Sequence, residues 1–145
     1  MKSYLLLIVP ALFLFLVSCT KDADESACVS DATLSSMVGS EDLVLARTAH
    51  NDGAEWQIKM NSVATKALAE GLKSYPANSM IVKEKRDASG KVLRYAVMYN
   101  APADKNSVNG WLWSEYDADG HVVISTSERA INCQNCHSKT ITRNN

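Results

Sequence analysis

The sequence predicts an α+β domain, a small antiparallel sheet with helices packed against it. Three observations carry this. Four short stretches between Met80 and Ser125 are rich in β-branched and aromatic residues, and two of the gaps between them are Asp- and Gly-bearing turns. The stretch before them, Ala54 to Leu72, repeats apolar residues at three- and four-residue steps. The chain has 145 residues, 46% hydrophobic and 21% charged, which suits one domain better than two.

Taken in order, the chain opens on Lys2 and then an apolar run, Tyr4 to Val17 (YLLLIVPALFLFLV), that ends at Leu16-Val17-Ser18-Cys19. The run is shorter than the roughly 20 residues of a membrane span. A basic start, an apolar core and a small residue before the break mark a secretory signal. A cysteine directly after the small residue resembles the bacterial lipobox, in which the thiol is acylated and becomes the new N-terminus. Residues 1–18 are therefore read as a lipoprotein signal peptide and Cys19 as the lipidated residue. The polar, acidic residues 20–33 are read as a flexible tether, and residues 34–145 as the folded domain. An ordinary signal with a chance cysteine is the alternative. The expected location is the cell envelope of a bacterium, lipid-anchored and facing the periplasm or the cell surface, with the lipid as the sole membrane contact.

Residues 41–50 (EDLVLARTAH) are expected to form a short helix after Ser40. A longer helix is expected from Ala54 to Leu72, carrying Trp56, Met60, Val63, Ala64, Ala67 and Leu68 on one face, with Asn51 or Asp52 as its cap and Gly71 near its end. Met80–Arg86 is a predicted strand, Asp87-Ala88-Ser89-Gly90 a turn, and Val92–Asn100 a second strand with Tyr95, Val97 and Tyr99 on one face. After a loop over Ala101–Ser107, Trp111–Tyr116 is a third strand, Asp117-Ala118-Asp119-Gly120 a second turn, and Val122–Ser125 a fourth strand.

Charge narrows the function classes. Fifteen Lys+Arg stand against 16 Asp+Glu, for a net charge of −1, and no basic run occurs, so a nucleic-acid partner is not expected. Four cysteines in an exported chain would ordinarily form two disulfides. Here Cys19 is claimed by lipid, and Cys133-Gln134-Asn135-Cys136-His137 is C-x-x-C-H, the attachment sequence for c-type haem. Each thiol adds across one haem vinyl group to give a thioether. The adjoining His137 is then held under the iron as its proximal ligand. The expected cofactor is thus one covalent haem c, lying against the sheet that precedes the motif. A C-x-x-C disulfide in a structural lipoprotein is the alternative; a zinc site lacks its second ligand pair, and a thioredoxin-like motif would open a helix after an early strand. Cys28 is left over, as a free thiol or an intermolecular partner.

Met80-Ile81-Val82-Lys83-Glu84, Tyr95-Ala96-Val97-Met98-Tyr99, Gly110-Trp111-Leu112-Trp113 and Cys133–His137, in that order, resemble the cytochrome P460 family, which includes the beta-type cytochromes c′. The resemblance runs from about Trp56 to His137. It implies a haem on an antiparallel sheet, His137 as proximal ligand, an open distal site and often a homodimer. It implies either oxidation of hydroxylamine-type nitrogen compounds, with a redox partner protein, or binding of a small gas such as nitric oxide. In the oxidising members a lysine is bonded to the macrocycle, and Lys83 is the matching position. Those members also carry a distal carboxylate about one helical turn after the haem histidine; that position here is Ile141, with Glu84 and Glu115 as substitutes. Plain strand physics reads Lys83 as a solvated lysine that discourages edge pairing.

A six-coordinate electron-transfer cytochrome is the alternative function. Its sixth ligand would come from Met60, Met80, Met98, His50 or His121, none of which is singled out by spacing. Trp111, Trp113, Tyr95 and Tyr99 are either ordinary core aromatics or packing for a porphyrin.

Overall fold

The computed structural model describes residues 28–40, 42–51 and 54–129. The described chain is an α+β fold of two helices and six strands, closed by a 3-10 turn over Thr126–Glu128. The strands are β1 (Val44–Asn51), β2 (Ala54–Met60), β3 (Met80–Arg86), β4 (Val92–Asn100), β5 (Trp111–Asp117) and β6 (Val122–Ile124). They pair antiparallel in sequence order, a six-stranded meander with β1 and β6 as its edges. Helix α1 is Asp31–Val38, and α2 is Ser62–Ala69.

The second half of the sheet is as the sequence predicts. β3 and β4 are joined by a turn in which the Asp87 carboxylate accepts from the backbone N–H of Ser89 and Lys91, at 2.8 and 3.0 Å. Asp117 repeats the device before β6, accepting from the N–H of Asp119 and His121 at 2.9 Å each.

The first half corrects the sequence reading. Residues 44–51 form β1, not a helix, and the expected helix from Ala54 to Leu72 is β2 followed by the much shorter α2. Asn61 divides the two. Its side chain caps α2 by accepting from the Ala64 N–H at 3.0 Å, and accepts from the Met80 N–H at 3.0 Å as well. Gly71, at φ 72°, lies just past the helix as expected. The missed signal is the alternation Trp56-Gln57-Ile58-Lys59-Met60, which is the period of a strand.

The start of the fold also differs. Residues 29–33, assigned above to the tether, belong to the folded unit. Ser30 caps α1 by accepting from the Thr33 N–H, and the Val29 N–H donates to Asp104 at 2.7 Å. Cys28 is an exposed free thiol beside them. Helix α1 lies on one face of the sheet and places Leu34 and Val38 among Met80, Val82, Val97, Tyr99, Leu112 and Tyr116, the main core. Tyr95, Val97 and Tyr99 all face this way, as predicted. The Tyr116 hydroxyl donates to the Asp31 carbonyl at 2.9 Å, and Ser35 Oγ to the Gly120 carbonyl at 2.8 Å. Gly120 is required at that contact. Its φ is 85°, and a Cβ there would lie 3.0 Å from Ser35 Oγ. Asp31 further accepts from Ser125 Oγ and the Thr126 N–H, at 2.6 and 2.8 Å, so α1 holds the segment after β6 in place.

Candidate functional site

Register places every strand residue on one of two faces, because residues paired across an antiparallel sheet share a face. The face opposite α1 carries three rows. The first is Met60–Ile81–Met98–Trp113, and the second is Ile58–Lys83–Ala96–Glu115–Ile124. The third is Trp56–Lys85–Arg94–Asp117. Trp111 and Trp113, at one end, are its buried part, with Tyr75, Ile81, Met98 and Ile124 packed against them. The Tyr75 and Trp111 rings meet edge to face, centroids 6.0 Å apart. This is the tryptophan face. Most of it is half-buried: Trp56, Ile58, Ile81, Lys83, Lys85, Ala96, Met98 and Ile124 are neither fully dry nor fully wet.

Lys83 sits in the middle row of that face, between Ile58 and Ala96. Its Nζ lies 3.9 Å from the centroid of the Trp56 ring, and the Nζ of Lys85 5.5 Å from the same ring. The indole quadrupole attracts both ammonium groups. Lys83 is thus half-buried over an aromatic ring, not the solvated strand lysine that a bare pattern suggests.

The two candidate carboxylates fall on opposite faces. Glu84 points to the α1 side and is buried at 2% exposure. Its oxygens are taken by Lys59 Nζ and Arg86 Nη2, each at 2.6 Å. Glu115 lies in the same row as Lys83, and its Oε2 accepts from Arg94 Nη1 at 3.0 Å. Of the two, Glu115 alone shares a face with Lys83.

The candidate sixth ligands separate in the same way. Met80 is 2% exposed in the α1 core, and Met60 is buried at the end of β2. Met98 is on the tryptophan face, between Ile81 and Trp113. His50 is not at a helix end; it is exposed on edge strand β1 opposite Glu55. His121 is in the β5–β6 turn, its Nδ1 3.1 Å from the Asp117 carboxylate. Asp117, Asp119 and His121 gather their donor atoms within 4.8 Å, but Asp117 is committed to the turn's own N–H groups. Those hydrogen bonds, the His121 N–H first, hold the Asp117 carboxyl below its ordinary range. Burial pushes the hydroxyls of Tyr95 and Tyr116 up, with Glu84 adding to the first and Asp31 to the second.

Cys19, Cys133, Cys136, His137 and Ile141 lie outside the described residues. Trp56, Lys85 and Arg94 are site residues the sequence reading missed. Trp56 was placed on a helix, which hid the strand that brings it beside Lys83 and Lys85. The signal was present as period-2 alternation in both strands. A scan against protein-family models finds no match for this chain, and a search of curated proteins finds none either.

Proposed function

We propose that the protein is a lipid-anchored monohaem c-type cytochrome of the bacterial cell envelope. Its haem would be held by Cys133, Cys136 and His137, and would bind nitric oxide or oxidise hydroxylamine-type compounds. The observation that carries this is the tryptophan face, a half-buried surface on the side of the sheet away from α1. The residues present suit the group. Ile58, Ile81, Ala96, Met98 and Trp113 offer a porphyrin apolar contact across four strands, while the other face is filled by α1.

A five-coordinate haem iron there would supply a site for a small nitrogen-oxide ligand and an electron path to a redox partner protein. The protein's own side chains do the rest. Trp111, Trp113 and Tyr75 exclude water from one end of the face. Glu115, paired with Arg94, is the carboxylate on this face that would accept a proton from a bound hydroxylamine. Lys83 projects from the centre of the face, which suits the cross-linked lysine of the resemblance. A second reading, a six-coordinate electron carrier, is favoured by Met98 alone, the one candidate thioether in the half-buried part of this face.

The test is the full chain expressed with a c-type maturation system. It should gain one haem in mass and keep it through acid–acetone extraction, and Cys133→Ala with Cys136→Ala should lose it. Freely extracted haem overturns the proposal. The spectrum should be high-spin, with nitric oxide binding the ferrous iron; a low-spin spectrum in both oxidation states gives the site to Met98. A ferrous band far to the red that Lys83→Ala returns to an ordinary c-type position identifies the cross-link and the oxidising function. Cys19→Ser should leave the signal uncleaved or release the protein from the membrane.

A further inference from the structure

Lys83 and Lys85 stand in surroundings that call for an anion. Both are half-buried, and both ammonium groups lie over one indole ring. Among the described residues neither comes within ion-pair distance of a carboxylate. The cations of the α1 face are different, since Lys59 and Arg86 close on Glu84. On the tryptophan face Glu115 is taken by Arg94 and Asp117 by its turn. Two like charges gathered on a partly desolvated surface repel, and an anion beside them relieves the repulsion.

The face is also polar along its length. One end is the apolar row from Met60 to Trp113, with the Tyr75–Trp111 pair beyond it. The other end is the row Trp56–Lys85–Arg94–Asp117, and exposed Arg47 pairs with Ile58 in the middle row. Met98 and Arg94 lie four residues apart on β4, or about 13 Å at a strand's rise per residue. β6 runs back along β5 toward the Trp113 end, and the segment after it bonds to Asp31 of α1. Arg129 Nη2 donates to the Ser107 carbonyl at 3.5 Å, in the loop just before Trp111. Four residues further on is Cys133, a reach of at most about 14 Å. In a haem, the vinyl groups that take the cysteine thiols and the two propionates lie on opposite edges of the ring.

We propose that Lys85 and Arg94 bind the haem propionates and so fix which way round the haem lies on the sheet. The proposal rests on the haem reading above and adds the orientation. The thioether edge lies toward Trp111 and Trp113, and the propionate edge toward the charged row. Arg94 gives Nη1 to Glu115 and keeps its other guanidinium donors for a propionate. Lys83, one row nearer the centre, lies under the ring and not beyond its edge.

The ferrous haem carries one more negative charge than the ferric, so cations at the propionates raise the midpoint potential. The test measures that potential in the matured full chain. Lys85→Gln and Arg94→Gln should each lower it, and the pair together should lower it further. Lys85→Arg should hold it near the parent value, and Lys66→Gln, exposed on α2, should leave it unchanged. The propionate bending band in the Raman spectrum should shift in the Gln variants alone. Should the double variant take up no haem, the two single variants supply the same readout. Covalent haem with a potential and Raman band indifferent to Lys85→Gln and Arg94→Gln overturns the orientation and leaves the haem reading standing. A parent chain that takes up no covalent haem overturns both.

Discussion

The two faces of the sheet are built from the same strands and finished differently. On the α1 face, Leu34, Val82, Leu112 and Tyr116 are wholly buried, and the buried Glu84 carboxylate is matched by two cations. On the tryptophan face Trp111, Trp113 and Met60 are the buried side chains among the described residues, while Lys83 and Lys85 share a ring and have no carboxylate of those residues within ion-pair distance. A side chain that is half-buried and half-matched contributes little to folding on its own. The difference teaches that the α1 face supplies the dry core, while the tryptophan face is left half-buried among the described residues.

That contrast breaks first at Leu112. Leu112→Ala should lower stability by about 2–5 kcal/mol in urea denaturation, with or without haem, because it opens a cavity in a dry core. Met98→Ala, on the other face of the adjacent strand, should cost about 1 kcal/mol in the haem-free chain and more once haem is attached. Equal costs in the haem-free chain would mean that both faces belong to the core.

Glu84 sharpens the comparison from its charged side. Glu84→Gln should cost about 2–3 kcal/mol, somewhat under the ~3–5 for breaking a fully buried pair, since the Lys59 and Arg86 side chains are 25% and 23% exposed. The matching change on the other face, Glu115→Gln, should cost less than about 1 kcal/mol, because Arg94 is half in water. If the proposed oxidising function holds, its effect should fall on hydroxylamine turnover instead. Denaturation and turnover of the two variants, measured side by side, test this; a Glu115→Gln chain as unstable as Glu84→Gln would erase the distinction.

The smallest effect lies at the rim, where neither face is involved. The Ser89 hydroxyl, with the N–H groups of Lys91 and Ser89, lowers the Asp87 carboxyl from its ordinary value. A group lowered on folding stabilises the fold above its unfolded value, and that contribution is lost as pH falls through the folded one. The parent chain should therefore lose slightly more stability than Asp87→Asn as pH falls below the ordinary carboxylate range. Parallel acid titrations of stability would refute this by staying parallel throughout.

How much of this was legible depends on the period of each segment. From Met80 to Ile124 the β-branched alternation and two Asp–Gly turns name strands unambiguously, and the structure follows them. Residues 54–72 failed because Trp56 and Met60 are four apart, and residues four apart share a face on a strand as well as on a helix. Ile58, two from each, was the residue that decided between them. Helix α1 was missed because its polar start, Asp31-Ala32-Thr33, reads like the tether before it, and only docking of Leu34 and Val38 on the sheet gives it a reason to form.

The sequence by itself determined the meander from β3 to β6 and its turns. It also determined that Lys83 and Glu84, as neighbours on a strand, point to opposite sides. Which side is which was decided only by the tertiary structure. Docking of α1 made the Glu84 side the dry core, and pairing of β2 with β3 brought Trp56 beneath Lys83 and Lys85. Alternation is local and is written in the chain, whereas the covering of a face depends on a contact between distant segments, which no short stretch of sequence contains.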